Sequence, residues 1–174
     1  LVLTIGLSFF LVFSNLSPSL QIICSILFII YINNMNIYPI QKFKERKDEI
    51  LNLLSQLTAA PTYDDDKFNN IINNLNNNHK IFVYFEKDKI IGMITLLLEQ
   101  KLIRGGAVVA HIEDLVVDKD YRGKGIANEL INYCIKESSH IDTYKIILDC
   151  DIKLQSFYEK MGFEYKNIQM SMYK

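Results

Sequence analysis

The sequence predicts an α/β fold: a mixed β-sheet flanked by helices on both faces. Three observations carry this expectation. Ile81–Phe85 and Ile90–Leu98 are rich in β-formers and separated by a short charged turn, the pattern of an antiparallel hairpin. Val108–Val117, a glycine-bearing junction, an apolar-striped helix and Tyr144–Cys150 follow in that order, the order of a βαβ crossover. Between these strand runs and before them lie helical repeats, and alternation of the two element types in one chain builds layered sheets.

The elements are justified in chain order. Met35–Phe43 alternates loosely and reads as a strand. Ile50, Leu51, Leu53, Leu54 and Leu57 recur at helical spacing, and Pro61 ends that helix. Asp64, Asp65 and Asp66 stand where a second helix would begin, running into Phe68, Ile71, Ile72 and Leu75. The asparagines at 69, 70, 73, 74 and 76–78 leave this stretch open between a helix and a solvated loop. The hairpin follows, with Glu86–Lys89 as its turn. Gly105 and Gly106 break the chain before Val108–Val117, a strand interrupted only by His111, Glu113 and Asp114. Apolar residues at 126, 127, 130, 131, 134 and 135 mark a helix buried along one stripe. Tyr144–Cys150 is a short strand, and Asp151 is a suitable N-cap. Leu154, Phe157, Tyr158 and Met161 line a helix that Gly162 can end, and Phe163–Tyr173 supplies a last strand.

Composition bounds the function. The 174 residues hold 19 Lys+Arg against 20 Asp+Glu, a net charge of -1, so no nucleic-acid partner is expected. Cys24, Cys134 and Cys150 are odd in number and widely spaced, which disfavours a disulfide framework or a zinc site and suits a reducing, cytoplasmic setting. Residues 1–34 differ from the rest, since no charged residue or histidine precedes Lys42. The apolar runs Leu1–Phe13 and Leu20–Ile32 are each shorter than the roughly 18–20 residues of a membrane-spanning helix. This leader is expected to mark a fragment or sequence upstream of a start at Met35, or else a weak hydrophobic anchor giving membrane contact, or a truncated signal or spanning helix; residues 35–174 are expected to form the one working domain.

The chemistry concentrates at Asp118–Ala127, which joins a strand to the N-terminus of the most regular helix. Such a junction aims unpaired backbone amides at one point. Gly123 and Gly125 let a ligand approach the main chain, and Arg122 and Lys124 add positive charge, so a pyrophosphate is the natural guest. A Walker A loop is excluded because Ile126 follows Gly125, and a dinucleotide fingerprint fails because residue 128 is Asn128.

Arg122-Gly123-Lys124-Gly125-Ile126-Ala127 is similar to the glycine-rich loop of the GNAT superfamily of N-acetyltransferases. More narrowly, His111-Ile112-Glu113-Asp114, Tyr144 to Asp151, and Phe157-Tyr158-Glu159-Lys160, in matching order, resemble the glucosamine 6-phosphate N-acetyltransferase family. The resemblance covers residues 35–174 and implies a GNAT fold, with acetyl-CoA as co-substrate and no metal. It implies direct transfer of the acetyl group to the amine of glucosamine 6-phosphate, giving N-acetylglucosamine 6-phosphate for UDP-N-acetylglucosamine synthesis. Other small amines, a protein N-terminus, or a non-catalytic acyl-CoA-binding role remain alternatives.

The same resemblance assigns residues. Amides of Gly123, Lys124, Gly125, Ile126, Ala127 and Asn128, with Arg122, would hold the pyrophosphate. The backbone of Leu115, Val116 and Val117 would pair with the pantetheine arm, and Tyr158, Glu159 and Lys160 would complete the cofactor site. Tyr158 would steady or protonate the leaving thiolate, a role favoured over the alternative of a core aromatic beside Phe157. Thr58, Lys101, Leu102, Ile103, Arg104, Glu113, Asp114, Tyr144, Lys145, Asp149 and Tyr173 would surround the sugar phosphate. Asp149 and Glu113 would orient the amine and take its proton. Relatives are homodimers whose acceptor site borrows partner residues, so a homodimer is implied. Ala110, Leu154 and Tyr173 depart from the family pattern, the last where relatives carry an arginine on the sugar phosphate. His111 reads as a strand residue satisfying a hydrogen bond, and Cys150 as packing.

Overall fold

The computed structural model describes residues 17, 19, 20, 22, 36–59 and 62–173. Most of the apolar leader, Met35 and Pro61 lie outside these residues. The chain from Asn36 onward packs as one compact unit. Its elements are β1 (Ile37–Pro39), a 3-10 segment (Ile40–Arg46), α1 (Lys47–Leu54), α2 (Asp65–Asn74), β2 (His79–Glu86) and β3 (Lys89–Gln100). There follow β4 (Val108–Val117), α3 (Ile126–Ser138), β5 (Thr143–Leu148), a 3-10 turn (Ile152–Leu154) and α4 (Gln155–Glu159).

The strands make a five-stranded sheet in sequence order. β1 to β4 are antiparallel neighbours, and β5 runs parallel to β4 after the α3 crossover. Ile90, Ile91, Met93, Ile94 and Leu96 of the central strand β3 are all buried, as a strand covered on both faces requires. One face carries Ile91, Ile94, Leu96, Ala110 and Ile112 against Leu130, Ile131 and Cys134 of α3 and Tyr158 of α4. The other carries Val83, Ile90, Met93 and Val116 against Ile50 and Leu53 of α1 and Phe68 and Ile72 of α2. Each fully buried aliphatic side chain contributes about 1.5–3 kcal/mol, so both helix layers are held chiefly by these contacts.

The asparagine-rich stretch resolves as a helix as far as Asn74, while Asn76–Asn78 form the turn into β2. Asp64 caps the helix by accepting from the Lys67 amide at 2.7 Å, and burial of Phe68 and Ile72 outweighs the modest propensity of asparagine. Two expectations are corrected. Only Ile37–Pro39 of the first predicted strand pairs with β2, because the chain turns into a 3-10 segment that buries Ile40 and Phe43. The expected last strand, Phe163–Tyr173, joins no ladder among the described residues. Its alternation is real, since Ile168, Met170 and Met172 are spaced by two, but all three are exposed. A strand is stabilised by an edge to pair with and a surface to cover; among the described residues only Phe163 of this segment packs on the core, and no strand edge pairs with the rest.

Candidate active site

The site arises where β4 and β5 part. Their pairing runs from Val108 opposite Thr143 to Ile112 opposite Leu148 and stops, while β4 continues to Val117 along β3. The edge of Leu115–Val117 that faces β5 therefore has no strand partner among the described residues. A bulge marks the divergence: Met93 pairs with Val116 but Thr95 with Glu113, and Asp114 takes φ +51°, a left-handed conformation that aspartate tolerates better than most residues. One extra residue on β4 re-aims the strand at the point where an extended ligand could lie beside it.

Beyond β4 the chain makes a short turn and enters α3. Gly123 and Gly125 have φ +77° and +87°, and a Cβ added at either would meet nothing within 4 Å. Both are glycine because of the backbone, and the space beside them is open. Gly125 is the N-cap of α3 and offers no side chain to its first amides, so those donors stay directed outward at the positive end of the helix dipole. Arg122, Gly123, Gly125, Ile126, Ala127 and Asn128, all predicted for the cofactor, line one cleft of about 330 Å³. Val117 lines it from the strand, and Tyr121 and Phe157, which sequence reasoning missed, complete it. This donor set, convergent amides with two nearby cations, fits a diphosphate.

The loop is fastened from beneath. The Arg122 Nε donates to the Val117 carbonyl at 3.0 Å, so the strand end holds this guanidinium. Lys89 and Lys124 lie over the Tyr121 ring at 5.0 and 4.5 Å. Asp118, only 7% exposed, accepts from the Asp120 amide at 2.9 Å and from Lys89 Nζ at 3.1 Å. Burial pushes its carboxyl upward, but the Asp120 amide, Lys89 and Gln56 together hold it below the ordinary aspartate range. Lys89, the first residue of β3, and Gln56, in the turn after α1, are remote from the loop in the chain and were not readable as its partners.

The remaining predicted cofactor residues behave differently. Leu115 packs on the α3 face and Val116 is buried against α1 and α2, leaving their backbones as the available groups. Tyr158 is buried, in edge contact with Phe157 and Phe163 at ring distances of 4.9 and 6.0 Å. Its phenol is raised above the ordinary range, first by burial and then by the Cys150 thiol. Glu159 is bound by the Gln155 amide at 2.7 Å, and both it and Lys160 are exposed.

Up the same strand sit Glu113 and Asp114, and Asp149 lies just past the end of β5. Burial, the charge of Asp149 and that of Asp114 raise the Glu113 carboxyl, against a smaller opposing effect of His111. Glu113 and Asp149 thus share one environment. His111 does make the expected hydrogen bond, its Nε2 lying 3.0 Å from Glu99 Oε2. Lys101 is engaged by Glu99 at 2.5 Å, so this predicted phosphate cation already has a partner. Arg104 sits over the Tyr144 ring at 4.9 Å, beside the exposed Leu102 and Ile103. Lys145 is exposed on β5, and Thr58 is exposed in the turn after α1. Tyr173, 94% exposed at the end of the unpaired tail, is not brought to these groups. Cys150 is exposed rather than packed, because β5 ends two residues before it; Cys134 is the buried cysteine, its thiol pushed up to about 12 chiefly by burial.

The comparisons agree with this geometry. The sequence pattern of the acetyltransferase (GNAT) domain matches residues 58–171. Glucosamine 6-phosphate N-acetyltransferase of Arabidopsis thaliana is 34% identical over 145 residues, 76% of this chain and 97% of that protein. The protein of the same name from Trypanosoma brucei brucei is 38% identical over 125 residues, 70% of this chain and 85% of its own. The crystal structure of the Arabidopsis thaliana enzyme superposes with a TM-score of 0.75 at 32% identity, covering 79% of this chain and 96% of that one. On the fold, the glycine loop and these similarities, the chain belongs to the GNAT superfamily and, within it, to the glucosamine 6-phosphate N-acetyltransferase family.

Proposed function

We propose that the chain transfers the acetyl group of acetyl-CoA directly to the amine of glucosamine 6-phosphate, releasing CoA and N-acetylglucosamine 6-phosphate, a precursor for UDP-N-acetylglucosamine. The observation that carries this reading is the parting of β4 from β5 directly between a diphosphate-shaped loop and a pair of carboxylates. The acetyl thioester supplies the activated acyl group; the protein's part is placement and proton handling. Amides of residues 123–128 hold the diphosphate, with Arg122 and Lys124 as counter-charges. The free edge of Leu115–Val117 pairs with the extended arm, and an amide there stabilises negative charge developing on the acyl oxygen, an effect worth about 3–4 kcal/mol per donor.

The amine arrives protonated and must lose that proton before it attacks. Glu113 and Asp149 stand as acceptors, and the raised Glu113 carboxyl is better matched to neutral pH than an ordinary glutamate. Tyr158, raised by burial, keeps its proton until the thiolate leaves and then donates it. Asp114, Tyr144 and Lys145 line the acceptor side. Arg104, stacked on Tyr144, is the cation for the 6-phosphate, aided by Thr58 and by Lys101 once it exchanges Glu99 for substrate, with Leu102 and Ile103 as the apolar rim.

A homodimer fits this reading. Among the described residues β5 is an edge strand, and the segment beyond Phe163 is an alternating, exposed strand sequence that joins no ladder. Exchange of these segments between two copies would cover Ile168, Met170 and Met172 and carry Tyr173 toward the partner's sugar phosphate. The test is thiol release from acetyl-CoA on adding glucosamine 6-phosphate, glucosamine, other small amines or an N-terminal peptide. Stimulation by the phosphorylated sugar above the rest is expected; release driven only by another amine overturns the substrate while leaving the acetyl transfer.

A further inference from the structure

The turn after α1 and the loop after β4 are far apart in sequence, yet one side chain ties them. The Gln56 carboxamide oxygen accepts from the Lys119 backbone amide at 2.8 Å. The same carboxamide helps to hold the neighbouring Asp118 carboxyl low. Gln56 therefore grips the root of the diphosphate loop at the Lys119 main chain, beside the Asp118 carboxylate that it influences. Asp118 is the hub of that root, since it also holds the Asp120 amide at 2.9 Å and Lys89 at 3.1 Å while only 7% exposed.

At its other end Gln56 belongs to a tight turn. The amides of Gln56, Leu57 and Thr58 donate to the carbonyls of Leu53 and Leu54 at 3.1, 2.9 and 3.2 Å. Thr58 cannot shift far without Gln56 following, because each residue of the turn is tied to the last turn of α1. Main-chain hydrogen bonds and one carboxamide thus link the Thr58 turn to Lys119, and the Asp118 carbonyl, which accepts from the Tyr121 amide at 2.8 Å, continues that path into the loop that leads to Gly123.

We propose that Gln56 is a positioning residue that couples the two substrate sites, locking the Thr58 turn to the diphosphate loop so that filling either site favours filling the other. The proposal rests on the reading that Thr58 faces the acceptor. Its physical basis is shared ordering: the ligand that binds first fixes both loops, and the second no longer bears that cost. Linkage then requires equal effects in both directions.

The test is calorimetric titration of the full chain. Glucosamine 6-phosphate is titrated into protein alone and into protein saturated with CoA, which cannot transfer an acetyl group; CoA is then titrated with and without the sugar. Wild type is expected to show at least about fivefold tightening in each direction, the lower end of ordinary coupling. Gln56→Ala should bring both factors below about twofold, and Gln56→Met, which keeps the volume without the hydrogen bonds, should do the same. Circular dichroism establishes that the variants are folded. A wild-type factor near one, or full coupling retained in Gln56→Met, overturns the proposal. If the sugar fails to bind while another amine is acetylated, the substrate reading falls; the same titrations with that amine then decide the coupling.

Discussion

Replacing Gly92 by alanine should weaken the fold and the cofactor site together. Gly92 lies on β3 under the N-terminal half of α3, and a Cβ there would sit 3.0 Å from Leu130 Cδ1, 3.2 Å from Ile126 Cγ2 and 3.3 Å from Tyr84 Cβ. Leu130 is fully buried and cannot swing into solvent. Two effects oppose each other. Alanine restricts the unfolded chain, a gain of about 0.4–1 kcal/mol, while overpacking a filled core costs about 1–3 kcal/mol. The cost wins, leaving a net loss of about 1–2 kcal/mol. At about 2–4 °C per kcal/mol for chains of this size, the melting temperature should fall by about 3–6 °C. Ile126 is the first residue of α3 and lines the diphosphate cleft, so relief of the clash displaces the helix N-terminus by a few tenths of an ångström. If misplacement by about 1 Å costs about a hundredfold, kcat/KM for acetyl-CoA should drop about fourfold. Differential scanning calorimetry and initial rates measure both quantities. An unchanged or raised melting temperature with an unchanged kcat/KM would refute the argument that β3 and α3 meet at a distance only glycine permits.

Three further predictions concern titrating groups. Tyr158→Phe should lower kcat about a hundredfold while acetyl-CoA binding weakens little, as expected for a lost proton donor; unchanged turnover would assign Tyr158 to the core alone. Glu113→Gln should cost a similar factor. Because burial raises the Glu113 carboxyl, ionising it opposes folding, so this variant should melt slightly higher than wild type at neutral pH, and equal melting would contradict the assigned burial. Asp118 has the opposite sign. Its carboxyl is held low, so its contribution is present above the ordinary aspartate pKa and lost as pH falls through the lower, folded-state value. In acid titrations followed by fluorescence or circular dichroism, Asp118→Asn should be less stable at neutral pH and converge on wild type at low pH.

How much was legible in the sequence differs by the range of the interactions. The hairpin, β4 and α3 were readable because strand and helix periodicities are local and Gly123 and Gly125 mark the loop directly. The diphosphate cleft followed, since its main contributors are six of the seven residues 122–128 of one junction. Asp118 was readable as a position in that loop but not as its hub, because Lys89 and Gln56 reach it from turns separated from it by whole elements. Lys101 and Arg104 looked like free cations, yet Glu99, two residues before Lys101, and Tyr144, brought beside Arg104 from β5, occupy them. The failed last strand has the same origin: alternation specifies a willingness to pair, and the partner edge must come from elsewhere.

Asp114 shows most sharply how a conformational role can hide inside a chemical motif. It stands among acceptor-site residues, but it is also the left-handed residue of the bulge that parts β4 from β5. Two substitutions separate the roles. Asn keeps tolerance for φ +51° and removes the charge, whereas Val removes the charge and also crowds its Cβ against the backbone, at about 1–2 kcal/mol. If the bulge matters most, Asp114→Asn should retain kcat within about threefold, and Asp114→Val should lose about tenfold, since 1.4 kcal/mol of misfit corresponds to about that factor. Its loss should fall on acetyl-CoA as well as on the acceptor, because Leu115–Val117 would be drawn back into the ladder. Equal losses in both variants, confined to the KM of the amine, would instead make Asp114 a substrate ligand whose unusual backbone is incidental, and the opening between β4 and β5 would need another cause.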